Sequence, residues 1–134
     1  WNYLYLKNYI CGKKRSIKNI LMDQRCVSGL GNIYVNEILF FSGIKPAREA
    51  TKLKNFEIEK IIKFSKRILK NSIKLGGSTI KDFSSENGKK GLFQQKFKVY
   101  GRENQECSNV DCKLRIIRTV ISNRATYLCK KCQI

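Results

Sequence analysis

Apolar residues recur at steps of three and four along much of the chain, and this spacing predicts helices. The first predicted helix begins at Ile17, directly after Ser16, because serine is a favoured N-cap residue, and it ends at Gly29. The second has Asn32 as its predicted N-cap and ends near Gly43. The sequence therefore predicts two short helices with almost no chain between them.

A longer helix is predicted after a turn at Pro46. Asn55 is placed to cap it, and Glu57 and Glu59 lie in its first turn, where the helix dipole favours acidic side chains. Its apolar residues form a single stripe: Ile58, Ile61, Ile62, Ile68, Leu69 and Ile73. This pattern is typical of a helix that packs on one side, and it continues to about Leu75.

The pattern changes in the last third of the chain. Residues 78–92 are rich in Ser, Gly, Asn and Lys, which predicts a mobile basic loop. Beyond Phe93 the apolar period shortens to two, as at Phe97 and Val99, and this predicts short strands. We therefore expect a mainly α fold with a small β hairpin, divided into a helical domain over residues 1–95 and a smaller domain over residues 96–134.

The chain of 134 residues is strongly basic: 28 Lys and Arg oppose 10 Asp and Glu, a formal net charge of +18. A folded domain with this charge usually binds a polyanion, although a codon usage rich in lysine would also raise the count. A membrane surface is a weaker candidate, because no long basic amphipathic helix is present and no apolar run approaches the roughly 20 residues of a membrane span. No signal peptide is visible, and the start at Trp1 leads us to expect a piece of a longer protein.

Four of the six cysteines lie in the last 28 residues, with the spacing C-x4-C-x16-C-x2-C. They are Cys107, Cys112, Cys129 and Cys132. Two close pairs separated by a hairpin are typical of a structural zinc site with four sulfur ligands, whereas disulfides or free thiols are the alternatives. The hairpin has too few apolar residues to fold alone, so bound zinc would supply the missing stability. Cys11 and Cys26 lie apart and are interpreted as small, partly buried thiols.

Two further features are open to two interpretations each. The turn Gly29-Leu30-Gly31-Asn32 precedes a helix, whose free N–H groups favour an anion such as a nucleic acid phosphate, and the Asn32 amide could donate outward. The same turn could be an ordinary helix corner in which glycine serves only the geometry. Arg124, on the turn of the predicted hairpin, is either a solvated surface charge or a ligand-binding group.

A set of motifs, in a fixed order from about Cys11 to Gln133, resembles the C-terminal half of the bacterial formamidopyrimidine-DNA glycosylase family. The motifs are Ile17-Lys18, Leu21-Met22-Asp23-Gln24, GLGNIYVNEILF, GIKP, GGSTIKDF, NGKKGLFQQ, VYGR and NRATYLCKKCQ. The resemblance implies a helix-two-turn-helix domain followed by a zinc finger with one structural zinc ion. It also implies a monomer in the bacterial cytoplasm that associates with the nucleoid through damaged double-stranded DNA.

The resemblance assigns DNA-binding roles to Lys13, Lys18, Asn32, Tyr100 and Arg124. Asn32 and Arg124 would hold the phosphates on either side of the damaged nucleotide, and Arg124 would also assist the second, δ, elimination. The loop over residues 78–92 would close over a flipped 8-oxoguanine.

Two departures from the family pattern stand out. The first cysteine pair is C-x4-C where many members have C-x2-C, and both spacings can form a zinc knuckle. The N-terminal proline nucleophile and the β-elimination lysine of the family have no counterpart in this sequence. We therefore expect the DNA-binding half of an enzyme that excises oxidised purines and nicks the abasic site by β,δ-elimination.

Three alternatives remain open from the sequence. An endonuclease VIII-like enzyme for oxidised pyrimidines would share the helix-two-turn-helix domain and the zinc finger. A non-catalytic, zinc-dependent DNA-binding module would function as the chain stands. An RNA-binding zinc ribbon of ribosomal type would prefer structured RNA to duplex DNA.

Overall fold

A computed structural model describes residues 1–74 and 97–134, and the loop predicted over residues 78–92 lies outside these ranges. Within them the chain forms four α-helices, one short 3₁₀ helix and one antiparallel hairpin. The helices are α1 (Tyr3–Ile10), α2 (Ile17–Met22), α3 (Asn32–Ser42) and α4 (Asn55–Lys74), with the 3₁₀ helix at Ala50–Lys52, and the strands are β1 (Ile117–Ile121) and β2 (Arg124–Leu128). The predicted fold class is confirmed: a mainly helical chain with a small hairpin beside a cysteine cluster.

Helix α1 is an element that the apolar spacing did not predict. The Asn2 side chain caps it by accepting the Tyr5 N–H at 2.9 Å, and only Leu6 and Ile10 of its residues are buried. The neighbouring Trp1 donates from its indole Nε1 to Ser65 Oγ on α4 at 2.8 Å. The helix is therefore held by contacts with α4, distant in sequence, and two apolar residues give no clear period.

The first predicted helix is shorter than expected, and the prediction of almost no connecting chain was wrong. Ser16 caps α2 as predicted, its side chain accepting the Asn19 N–H, but the helix ends at Met22 and not at Gly29. The Asp23 carboxylate accepts the Arg25 N–H at 2.9 Å and binds the Arg25 guanidinium, which lowers the pKa of Asp23. This local turn competes with the helix, so residues 23–31 connect α2 to α3.

The ends of α3 and α4 also refine the prediction. Gly31 occupies the N-cap position of α3, so Asn32 is the first helical residue and not the cap, whereas Gly43 ends the helix in the left-handed conformation at φ 74°. Helix α4 begins at Asn55 itself. Its N-terminus is fixed by Glu57, whose carboxylate accepts the Lys54 N–H at 2.8 Å and the Arg48 guanidinium at 2.6 Å.

Two apolar clusters form the interior of the described residues. The larger one joins all four α-helices, and the smaller one surrounds three of the clustered cysteines. Phe40 of α3 belongs to the smaller cluster, and Gln133, fully buried, donates to the Ile44 carbonyl at 3.0 Å. The hairpin region is therefore fastened to the C-terminal end of α3.

Among the described residues, no helix has the length and apolar character needed to cross a membrane.

Candidate nucleic-acid interface and cysteine cluster

The four predicted cysteine ligands come together after the chain folds. All four Sγ atoms lie within 4.8 Å of one another, with Cys107 and Cys132 at 3.8 Å and Cys112 and Cys129 at 3.6 Å. Two sulfurs bound to one tetrahedral zinc at about 2.3 Å would stand about 3.8 Å apart. The cluster can hold a metal ion of this size, and both cysteines of the C-x4-C pair belong to it. Of the other two thiols, Cys26 is buried and Cys11 is exposed.

Arg124 lies at the tip of the hairpin, where the turn chemistry determines its position. Strands β1 and β2 pair antiparallel with Ile121 opposite Arg124, so only Ser122 and Asn123 form the turn. Both turn residues have positive φ, 50° and 65°, as a type I′ hairpin turn requires. The first residue of β2 therefore presents an exposed guanidinium beside the turn.

Asn32 and the hairpin are joined by a direct hydrogen bond. The Asn32 side-chain Nδ2 donates to the Ala125 carbonyl at 3.0 Å, and Ala125 follows Arg124 in the chain. The sequence interpretation had this amide donating outward; the structure instead gives one of its hydrogens to the hairpin. As a result, the N-terminal turn of α3 and Arg124 belong to one surface.

Lys18 lies inside the molecule between α2 and the hairpin. Its side chain is 1% exposed, and Nζ donates to the Ala125 carbonyl at 3.1 Å and to Thr126 Oγ1 at 2.5 Å. Burial, followed by the nearby charge of Arg124, lowers the pKa of Lys18 to about 8. The geometry therefore supports a role for this ammonium in holding the hairpin, and the contact of Lys18 with DNA stays a prediction.

Of the two remaining predicted DNA-binding residues, Lys13 lies beside α1 and Tyr100 lies beside β2. Lys13 Nζ donates to the Tyr9 carbonyl at 2.7 Å and stands 4.2 Å from the centre of the Tyr9 ring. The Tyr100 ring packs edge-on against Tyr127 of β2 at 4.9 Å between centroids. Tyr100 is thus connected to the hairpin, and the contacts found for the described residues do not join Lys13 to it.

Glu37 is a buried acidic residue that the sequence analysis missed. The residue is 3% exposed. Its carboxylate accepts three backbone N–H groups, from Lys98 at 2.7 Å and from Val99 and Tyr100 at 2.9 Å each. Burial raises the pKa of Glu37, and the three N–H donors oppose that shift. The residue fixes the backbone of residues 98–100 against α3. An Asn-Glu pair inside the otherwise apolar run of α3 was the signal available in the sequence.

Comparisons with known proteins agree with this architecture. The family model described as the formamidopyrimidine-DNA glycosylase H2TH domain matches residues 2–84. The formamidopyrimidine-DNA glycosylase of Neisseria meningitidis is 42% identical over 132 residues, covering 98% of this chain and 46% of that protein. Its counterpart from Hydrogenovibrio crunogenus is 44% identical over 133 residues, with 99% and 47% covered. The chain thus spans about half the length of the curated relatives it matches.

Solved structures show the same relationship. Lactococcus lactis Fpg in complex with DNA containing an abasic site superposes with a TM-score of 0.86 at 33% identity, over 98% of this chain and 48% of that one. A MutM protein bound to DNA containing carbocyclic 8-oxo-G gives a TM-score of 0.84 at 32% identity, over 99% and 46%. The chain belongs to the formamidopyrimidine-DNA glycosylase family.

Proposed function

We propose that this chain is the DNA-binding half of a DNA glycosylase and AP lyase that removes oxidised purines such as 8-oxoguanine and formamidopyrimidines. The observation that carries the proposal is the 3.0 Å hydrogen bond from Asn32 to the Ala125 carbonyl, which places the N-terminus of α3 beside the hairpin that bears Arg124. Relatives with this architecture have been solved with abasic-site DNA and with 8-oxo-G DNA. The target of the site would be the DNA backbone at the damaged nucleotide.

The chemistry of the site suits a phosphodiester. A helix N-terminus offers backbone N–H groups and a partial positive charge, and an exposed guanidinium can bind a phosphate through two hydrogen bonds. Because such contacts ignore base identity, Asn32 and Arg124 would hold the duplex in register and leave base recognition to other residues. Lys13 and Tyr100 are proposed as further backbone contacts, and Lys18 would act through the hairpin by adding positive charge behind Arg124.

The cysteine cluster is proposed to hold one structural zinc ion. Four sulfur ligands fill a tetrahedral shell and leave no place for a reacting water, so the metal would stabilise the hairpin without taking part in the reaction. Such thiolates need a reducing compartment, which supports the cytoplasm of a bacterium as the place of action.

We also propose that the chain works as a monomer and that its two domains divide between residues 95 and 96.

The excision and the lyase steps belong, in this proposal, to the whole protein. The family resemblance assigns them to a proline amine that attacks the sugar carbon and forms a Schiff base, and this sequence contains no such N-terminal motif. Arg124 would contribute to the δ-elimination while it holds the phosphate. The part played by this chain is therefore binding energy and geometry.

An incision assay with borohydride trapping tests the proposal. The chain is expected to bind duplex DNA weakly, without forming a covalent adduct or nicking an 8-oxoguanine duplex, because the amine nucleophile is missing from its sequence. A full-length relative such as the Neisseria meningitidis enzyme is the positive control for trapping. A trapped adduct on this chain, or the complete absence of DNA binding, would contradict the proposal.

A further inference from the structure

The outer edge of β2 is satisfied by side chains instead of a third strand. In a hairpin with a two-residue turn, the residues flanking the turn form a hydrogen-bonded pair, and every second residue after them does the same. Arg124 and Thr126 therefore direct their backbone groups towards β1, whereas Ala125 and Tyr127 direct theirs away from it. An edge of this kind needs partners when it is buried.

Lys18 and Asn32 donate to the Ala125 carbonyl of this edge, and Asn36 of α3 contacts both that carbonyl and the Tyr127 N–H. The Asn36 side chain is fully buried, its Oδ1 accepts the Tyr127 N–H at 2.8 Å, and its Nδ2 lies 3.4 Å from the Ala125 carbonyl. One carboxamide thus meets one donor and one acceptor of the strand edge, as a peptide group of a neighbouring strand would. The same Nδ2 donates to the Asn32 carbonyl at 2.8 Å.

We propose that Asn36 is a positioning residue that sets the spacing between Asn32 and Arg124, the two residues proposed to hold the DNA backbone. This inference rests on the proposed function and extends it to a residue that would not touch DNA. Asn36 Nδ2 contacts both the carbonyl and the side-chain Oδ1 of Asn32, at 2.8 and 3.4 Å, and two further hydrogen bonds join Asn36 to the strand that begins with Arg124. To hold the DNA backbone together, Asn32 and Arg124 must stand at a fixed distance from each other; we call this pair the phosphate clamp. Loosening the Asn36 contacts therefore weakens DNA binding even though both clamp residues are still present.

The sharpest variant is Asn36→Leu, which keeps a side chain of similar size and removes both hydrogen-bonding groups. Affinity for a duplex with an abasic-site analogue is expected to fall about tenfold, the effect of one or two lost hydrogen bonds in a buried place. Asn36→Ala is the second variant, in case the branched side chain disturbs the packing of α3. Asn71→Ala, at an exposed asparagine of α4, is the matched control and should bind like the wild type.

A double-mutant cycle separates positioning from a general loss of structure. In a background of Asn32→Ala and Arg124→Ala, the further change Asn36→Leu is expected to alter affinity by less than about twofold, since there is no clamp left to position. An equal fold-loss in both backgrounds would overturn the inference. If the Asn32→Ala and Arg124→Ala background itself binds the duplex as tightly as the wild type, the proposed function fails, and the inference about binding fails with it.

Hydrogen exchange of the Tyr127 amide tests the contact without DNA. Asn36→Asp keeps an acceptor for this N–H and should leave its exchange slow, whereas Asn36→Leu should speed it about tenfold. The Thr126 amide, which faces β1, should exchange equally in both variants. Equal protection of Tyr127 in the two variants would overturn the positioning role, whatever the DNA measurements show.

Discussion

Removing zinc from the chain, or replacing one ligand by Cys129→Ser, is expected to unfold the hairpin of β1 and β2 while α1, α3 and α4 stay helical. The smaller apolar cluster has only four buried aliphatic or aromatic residues beside three of the cysteines: Phe40, Val99, Ile116 and Tyr127. Structural zinc in small domains contributes on the order of 10 kcal/mol or more to folding at neutral pH, well above what such a cluster supplies. The helical core has its own large set of buried residues, so we expect it to stay folded without the metal.

The ¹⁵N NMR spectrum of the zinc-loaded and chelator-treated chain measures this effect. Signals of residues 117–128 should collapse to the range of unfolded peptides, and those of α4 should stay dispersed. Signals near Lys18 should also move, because the Ala125 carbonyl and Thr126 hydroxyl that bind its ammonium are lost. Cys11→Ser, at an exposed cysteine outside the cluster, is the control. Unchanged hairpin shifts after zinc removal would refute the structural role of the metal.

The substitutions Asn32→Ala and Arg124→Ala are expected to cause the largest losses of DNA affinity. Each phosphate contact removed lowers the slope of log K against log salt by about 0.9 for duplex DNA. Arg124→Ala should therefore weaken binding about tenfold or more at low salt and reduce that slope by about one. Asn32→Ala should also weaken binding, because it removes the amide that joins α3 to the hairpin. Since asparagine carries no charge, the slope should stay nearly unchanged.

Fluorescence anisotropy with a labelled abasic-analogue duplex over a series of salt concentrations gives both quantities. Arg118→Ala is the matched control, since Arg118 is an exposed arginine on β1 of the same hairpin. It removes the same charge from a different strand and should change the slope less than Arg124→Ala does. Equal effects of the two arginines would show that only total charge matters and that the clamp does not exist.

Helix α4 and the cysteine cluster were predictable from the sequence because each depends on local spacing. Helix α4 has a continuous apolar stripe, and the cysteines have a spacing typical of a metal site. Helix α1 was not predictable, since it is fixed by a contact between Trp1 and Ser65, 64 residues away. The early end of α2 was missed because the Asp23 turn overrides an apolar pattern that continues to Val27.

In the candidate site, too, contacts between side chains that are distant in sequence could not be predicted. The family resemblance implied that Asn32 and Arg124 act together, but no pattern predicts that an amide of α3 donates to the hairpin 93 residues later. The family resemblance assigns Lys18 a DNA contact, and no pattern in the sequence indicates that it is buried against Ala125, 107 residues away. Asn36 and Glu37 are polar residues in an apolar helix, a local conflict that often marks a site where tertiary contacts decide the sequence.

The most direct test of the account is an NMR titration of the zinc-loaded chain with a short duplex that carries an abasic-site analogue. Chemical shift changes should centre on the Asn32 side-chain amide, the first turn of α3 and residues 122–126, and they should diminish as salt is raised. The exposed basic face of α4, which includes Lys60 and Lys63, serves as an internal reference and should change little. Changes centred on α4, with the Asn32 amide and the hairpin unaffected, would contradict the proposal that these two elements form the DNA clamp.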